Sequence, residues 1–334
     1  MNILITGGAG FIGSNLGQRL LAEGHSVWAV DNFLTGSVDN IRRLEQNPHF
    51  KFCECGIEDK ETFFNFCAEA ENKFDRIYHL ACATGVPNIE ILAEEMLTAC
   101  SYGTFNVLEI AKKSGARLLF TSSSEVYGEP LKTPQDEKYT GNVETIGPRA
   151  NYEEGKRFSE TLVSHYVNSH KVHAVTVRLF NAYGPNMSLS DTRVIPRFCL
   201  QALSGKPLSV QGDGSQGRTF CFISDILDGF ETVINKGKPG EVYNLGSDVE
   251  STIKEFADQV ITLSDSLSLI EYVPRPYHDH SRRMPVLDKV RALGWNNKVD
   301  LKTGLKETIQ SFKKRLTSEV SHTLTYATEA QSQS

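Results

Sequence analysis

Short apolar runs recur along the chain at residues 3–6, 26–30, 50–55, 76–80, 117–122 and 172–179, each followed by a segment whose apolar side chains return every three or four positions. Such runs read as strands buried on both faces, and the segments between them as helices. The alternation predicts an α/β fold built on a doubly wound parallel sheet with helices on both sides. Between about 181 and 221 the rhythm breaks into short apolar pieces with scattered Gly, Pro and Asp. It returns with a helix from about residue 224 and a strand over 241–245. Helix, strand and helix are then expected to about 316, with Pro274, Pro276 and Pro285 between them. The pattern predicts a large domain from 1–181 with 222–247, and a smaller, discontinuous α+β lobe from 182–221 with 248–316. Residues 317–334 are polar, rich in Ser and Thr, and expected to form a disordered tail.

With 334 residues and 40% apolar content the chain can bury a large core. Its net charge of −6 offers no general attraction to nucleic acid, so an anionic ligand must be met by a few local arginines. No run approaches the roughly 18–20 apolar residues of a membrane span. Because the first residues enter a strand-like run at once, a cytoplasmic location is expected. Seven cysteines include no Cys-x-x-Cys pair and none with His at metal-ligand spacing, so neither a zinc site nor a disulfide framework is expected.

The first apolar run opens into Thr6-Gly-Gly-Ala-Gly-Phe-Ile-Gly13, with Gly7, Gly10 and Gly13 spaced three apart. Phosphate oxygens reach backbone N–H groups at a helix N-terminus only where side chains are absent, which glycine provides together with the tight turn. Ile12, Leu16 and Leu20 then follow at helical spacing. Asp31 closes the second run, where a carboxylate accepts hydrogen bonds from both ribose hydroxyls of an adenosine and repels a 2′-phosphate. This is the Rossmann arrangement for a dinucleotide, with NAD favoured over NADP. The alternative is that Asp31 serves only as a turn residue.

Tyr152 and Lys156 stand four apart in a helical segment over 152–167, so their side chains share a face. The ammonium lowers the pKa of the phenol by favouring its anion, and Tyr152 then serves as a base toward a hydroxyl. Directly after the fifth run comes Thr121-Ser-Ser-Ser-Glu-Val-Tyr-Gly128, at the carboxyl end of the sheet where such folds bind ligands. There Ser123 can share a hydrogen bond to the reacting oxygen, and Glu125 can act as acid or base. Alone, either segment reads as a solvated helix face or a turn.

Together with His79-Leu-Ala81 and Arg178-Leu-Phe-Asn-Ala-Tyr-Gly-Pro185, these motifs resemble the extended short-chain dehydrogenases/reductases that modify nucleotide sugars, over nearly all of residues 1–316. Residues 141–150 running into Tyr-Glu-Glu-Gly-Lys-Arg157, and Arg282-Arg-Met-Pro285, are most similar to the UDP-glucuronate decarboxylase branch. Ser124 stands where the related 4,6-dehydratases place an Asp. The resemblance implies retained NAD held by Gly7, Gly10, Phe11, Ile12, Gly13, Asp31, Asn32, Ile57, Leu80 and Ala81, with Tyr152 and Lys156. It implies proton removal from the sugar 4-hydroxyl by Tyr152, helped by Lys156 and Ser123, with Glu125 facing the sugar and Arg283 near its carboxylate. The same resemblance assigns substrate contacts to Ser124, Asn181, Arg193, Val194, Gln211, Arg218, Arg275 and Arg283, with a UDP-linked sugar as ligand. It also implies a homodimer formed by a four-helix bundle from segments 90–113 and 152–167.

Departures from that pattern cluster near the sugar and the adenine. Residues 82–89 lack the Ser/Pro-rich run ending in tyrosine; Thr98 and Cys100 replace Lys and Asn; Gln211 replaces an aromatic residue; Gly56 replaces an Asp; and the loop 187–193 is altered. Three outcomes stay open at this point. They are decarboxylation through a 4-keto sugar, 4-epimerisation or dehydration through the same first step, and an NAD-binding sensor without turnover.

Overall fold

The computed structural model describes residues 1–85, 88–274 and 282–332, with side chains described as far as Thr317. Seven parallel strands form the central sheet: β1 (Asn2–Thr6), β2 (Ser26–Asp31), β3 (Phe50–Glu54), β4 (Arg76–His79), β5 (Arg117–Ser123), β6 (Ala174–Leu179) and β7 (Val242–Leu245). Their spatial order is 3-2-1-4-5-6-7. Along β1, Ile3 and Ile5 enter one apolar core and Leu4 the other; along β2, Val27 and Ala29 oppose Trp28 and Val30 in the same way. This two-sided burial is why the strands read as unbroken apolar runs rather than alternating ones.

The strand order reverses between β1 and β4, which both pair with their neighbours in parallel register. At such a reversal the connections leave the sheet in opposite directions and open a crevice at the carboxyl ends of the strands. Gly7, Asp31, Leu80 and the residues ending β5 all arrive there.

The remaining strands form small pairs. Leu208–Gln211 runs parallel to Ile270–Val273, and Gly217–Thr219 runs antiparallel to Glu250–Thr252. Both pairs join the stretch before β7 to the stretch after it. Helices Val194–Leu203 and Ile253–Leu263 pack through Phe198 and Phe256, whose rings stack at 5.9 Å.

Two elements differ from the sequence expectation. The single helix expected over 90–113 is divided into Asn88–Ile91, Ala93–Thr98, a π-helical turn Ala99–Gly103 and the helix Thr104–Ser114. The widened turn leaves the Cys100 carbonyl open to Ser159 Oγ at 2.7 Å and lets Gly103 lie against Ile57, where a Cβ would meet that side chain at 2.6 Å. The last helix runs Leu301–Ser332, so the polar stretch after Thr317 continues it rather than leaving it. No described helix is long and apolar enough to cross a membrane.

Phe256 is fully buried and touches both Phe198 and Phe220, whose ring centres lie 5.9 and 5.1 Å away. Phe256→Ala is expected to lower unfolding free energy by about 3–5 kcal/mol, read by urea denaturation.

Candidate active site

A cavity of about 480 Å³ occupies the crevice. Its floor is the glycine turn. The Gly7 N–H donates to the Val30 carbonyl at 2.8 Å and the Gly10 N–H to the Gly7 carbonyl at 3.2 Å, after which the helix Phe11–Ala22 begins. A Cβ on Gly13 would meet the Gly7 carbonyl oxygen at 2.1 Å, and one on Gly7, at φ +76°, would meet the Ala81 nitrogen at 2.9 Å. Glycine is thus required by backbone packed on backbone, and this packing leaves the helix N-terminus open to an anion.

Asp31 lines the same cavity. One of its oxygens accepts the Ala9 N–H at 3.0 Å and the other the Phe33 N–H at 2.8 Å, so the carboxylate also braces the glycine turn. Burial raises the Asp31 pKa, against the pull of these amides. Near the same end, the carboxylate of Glu58 fills the space that a side chain on Gly56 would take, its Oε1 lying 2.0 Å from the Cβ position. Glu58 lines the cavity as well, so an acidic group stands there despite the glycine.

At the other end, the helix Ala150–His170 brings Tyr152 and Lys156 against the end of β5. Lys156 is buried, and its Nζ donates to the Thr121 carbonyl at 3.0 Å and lies 5.1 Å from the Phe120 ring centre. Burial works against its charge, but Cys82, Cys100, Tyr152 and Glu160 outweigh that and push its pKa up to about 12. For Tyr152 the sequence expectation needs correction. Lys156 and a hydrogen bond with Ser123 do favour the phenolate, but burial dominates and pushes the hydroxyl up to about 12.

Glu125 is bracketed by two guanidiniums. Arg149 Nη2 donates to its Oε2 at 2.5 Å, and Arg283 Nη1 donates to its Oε1. Arg149 also binds Glu153 at 3.1 Å, and Arg283 donates to the Gly128 carbonyl at 3.2 Å. Arg149, Cys82, Cys100 and Glu58 were given no site role from the sequence, although Cys82 and Cys100 fall among its departures from the family pattern. Arg149 had a signal, a cation three residues before Tyr152. The others join the site only through distant contacts.

Phe11, Ile12, Asn32, Ile57, Leu80, Ala81, Ser123, Ser124, Asn181 and Arg193 all line the cavity. Asn181 donates to the Thr219 carbonyl at 3.1 Å, next to Arg218 on Gly217–Thr219. Arg193 pairs with Asp191 at 2.6 Å. Val194 and Gln211 sit at the start of Val194–Leu203 and the end of Leu208–Gln211, off the cavity wall, and Arg283 lies behind Glu125. Arg275 falls outside the described residues. His79 is fixed between Thr6 Oγ1 at 2.9 Å and Thr104 Oγ1 at 3.1 Å, and burial with Lys156 nearby drives its pKa down to about 3. It is therefore a neutral structural group.

A glycine cradle that opens onto a buried tyrosine and lysine is the layout of a dinucleotide-dependent short-chain dehydrogenase/reductase. The chain belongs to the NAD dependent epimerase/dehydratase family, which it matches over residues 3–246. It is 41% identical to a UDP-glucuronic acid decarboxylase of Danio rerio over 94% of this chain and 73% of that protein. Among solved structures, UDP-glucose 4-epimerase of Thermotoga maritima with UDP-glucose aligns at a TM-score of 0.86 and 28% identity, covering 95% of this chain and all of that one. A mutant UDP-glucuronic acid 4-epimerase from Bacillus cereus, in complex with UDP-4-deoxy-4-fluoro-glucuronic acid and NAD, aligns at 0.84 and 27%, covering 94% of this chain and 99% of that one.

Replacing Lys156 by Met removes the charge that favours the Tyr152 phenolate. Since the base form must be present for turnover, the rising limb of rate against pH should move to higher pH, with turnover at neutral pH falling about a hundredfold or more. Ultraviolet titration of tyrosinate checks the direction independently of any substrate.

Proposed function

We propose that this chain converts UDP-glucuronate to UDP-xylose, or to its 4-keto pentose, through a 4-keto intermediate on retained NAD. The observation that carries the reading is the placement of Glu125, with Arg149 and Arg283 on its two oxygens, beside Tyr152 and Ser123 at the end of β5. A base for a sugar hydroxyl thus adjoins a carboxylate whose charge two guanidiniums offset, which suits the approach of an acidic sugar. Gly7, Gly10 and Gly13 would hold the pyrophosphate and Asp31 the adenosine ribose, with Glu58 supplying the adenine-side acceptor that Gly56 lacks. When bound there, NAD would supply a reversible hydride acceptor for the sugar carbon.

Tyr152 takes the proton of the 4-hydroxyl, its developing charge facing Lys156 and its oxygen hydrogen-bonded to Ser123. The resulting ketone is β to the carboxylate, so loss of carbon dioxide leaves its electron pair as an enolate. Hydrogen-bond donors at the reacting oxygen stabilise that charge. Arg283 would bear on this step through Glu125, whose carboxylate it holds from behind. Asn181 and Arg218 would hold the diphosphate, with Arg193, Val194 and Gln211 bordering the base. Ser124 offers no acid for expelling the 6-hydroxyl in the manner of a 4,6-dehydratase.

Assembly and setting belong to the same proposal. Leu97, Tyr102, Phe105 and Phe158 are large apolar residues exposed on the helical segments expected to pair, which supports a homodimer with a four-helix bundle. All seven cysteines are free thiols, as suits a reducing, cytoplasmic setting.

Incubation with UDP-glucuronate should give a pentose nucleotide lighter by one carbon dioxide, seen by mass spectrometry. A product of unchanged mass with altered C4 configuration by NMR would replace this reading with epimerisation, and loss of water would replace it with dehydration. Tyr152→Phe should reduce turnover roughly 10²- to 10⁴-fold while NAD binding persists; unchanged turnover would remove Tyr152 from the chemistry. Light scattering after size exclusion should give twice the chain mass, and Tyr102→Glu should shift it to the monomer.

A further inference from the structure

Two thiols from separate segments meet in the wall of this site. Cys82 follows Leu80 and Ala81 after β4 and lines the cavity, whereas Cys100 is buried in the π-helical turn. Their sulfurs are 3.7 Å apart, about 1.7 Å beyond the ~2.05 Å of a disulfide bond. The redox chemistry proposed above uses neither. Both thiols face the buried ammonium of Lys156, which favours a thiolate. A hydrogen bond from Cys82, with the Lys156 charge, draws Cys100 down to about 6 against its burial. The hydrogen bond to Cys100 and burial hold Cys82 well above the ordinary thiol value, so the pair's negative charge rests on Cys100 and Cys82, on the cavity side, points its proton at it across the 3.7 Å contact.

We propose that Cys82 and Cys100 are a modification site, which a peroxide oxidises to a reversible disulfide that loosens the cofactor cradle. The step balances with the peroxide as oxidant. Cys82 passes its proton to the Cys100 thiolate as its sulfur attacks one peroxide oxygen, the O–O bond breaks, and a sulfenic acid forms as the other oxygen leaves and is protonated to water. Cys100 then attacks that sulfur, forming the S–S bond and releasing the sulfenic oxygen as a second water with the proton it received.

The effect on the cradle follows from which sulfur can move. Cys100 is held from behind: its carbonyl accepts the Ser159 hydroxyl at 2.7 Å, and its Cβ and Sγ lie 3.3 Å from the Cβ position of Gly155. Closure therefore draws mainly on Cys82. The Leu80 and Ala81 N–H groups both donate to Thr6 Oγ1 at 3.2 Å, and Ala81 packs directly on Gly7. Movement of Cys82 is thus passed to the first glycine of the phosphate turn. This inference rests on the NAD site and not on which sugar is used.

The full chain is treated with hydrogen peroxide, quenched, digested without reduction and mapped, and NAD affinity is measured by calorimetry before oxidation, after it, and after dithiothreitol. The expected results are a Cys82–Cys100 linked peptide, loss of two hydrogens from the intact mass, and NAD binding weakened about tenfold and restored by the reductant. Cys100→Ala and, separately, Cys82→Ser should each retain NAD affinity through the same treatment, relative to their own untreated forms. A link among Cys53, Cys55 and Cys67 instead, a sulfinic acid at Cys82 with no link, or a Cys82–Cys100 bond that leaves NAD affinity unchanged would each overturn the proposal.

Discussion

The structure depends on keeping one buried cation charged. The Lys156 ammonium lies under the sheet end with a backbone carbonyl as its one direct hydrogen-bond acceptor among the described contacts, the Thr121 oxygen at 3.0 Å. Burying a charge is costly unless the surroundings answer it. Here the answer comes from several partial contributors: the Phe120 ring, the Tyr152 hydroxyl, the two thiols and Glu160. They come from four parts of the chain, Tyr152 and Glu160 sharing the helix of Lys156 itself. The end of β5, the helix Ala150–His170, the loop after β4 and the π-helical turn are therefore held to one geometry by a shared electrostatic requirement.

That requirement links the reactive phenol to its neighbours. Tyr152 stays protonated in this environment because burial outweighs the ammonium, so the residue holds its proton until a further positive charge or a hydroxyl partner shifts the balance. Cys82 enters on the opposite side, since a negative sulfur next to Lys156 opposes the phenolate. The thiol pair and the phenol thus compete for the same ammonium, and the state of one is felt by the other. An asparagine at position 100, the family's usual residue there, would carry no such charge.

What the sequence disclosed and what it hid divide along the same line. The seven strands were legible because burial on both faces leaves long apolar runs, and the glycine turn because backbone packing admits no substitute at Gly7 and Gly13. Tyr152 and Lys156 were legible because helical spacing alone puts them on one face. The contacts that give the pair its character are not local. Arg283 reaches Glu125 across 158 positions, and Cys82 reaches Cys100 from across a loop and a helix break. Glu58 is hidden for a related reason: a missing acid at Gly56 is visible in the sequence, but not that the side chain two residues later folds back into the vacated volume. Periodicity also cannot show the π-helical turn, since one extra residue shifts the apolar face by less than its own width.

The departures from the decarboxylase pattern acquire a physical order in this light. Gly56 is offset by Glu58, so the acidic character of that corner is kept. The exchange at Cys100, by contrast, lies together with the altered loop beginning at Cys82, and the two meet at their sulfurs. An isolated thiol in the apolar packing around Tyr152 and Met96 would have a raised pKa and behave as a small hydrophobe. Paired, and placed beside an ammonium, the two sulfurs hold one thiolate in contact with a thiol that lines the cavity. The chemistry at risk is then the cofactor's seat and not the sugar's, because the rigid connection from Cys82 runs through Ala81 to Gly7 and away from Glu125 and Arg283.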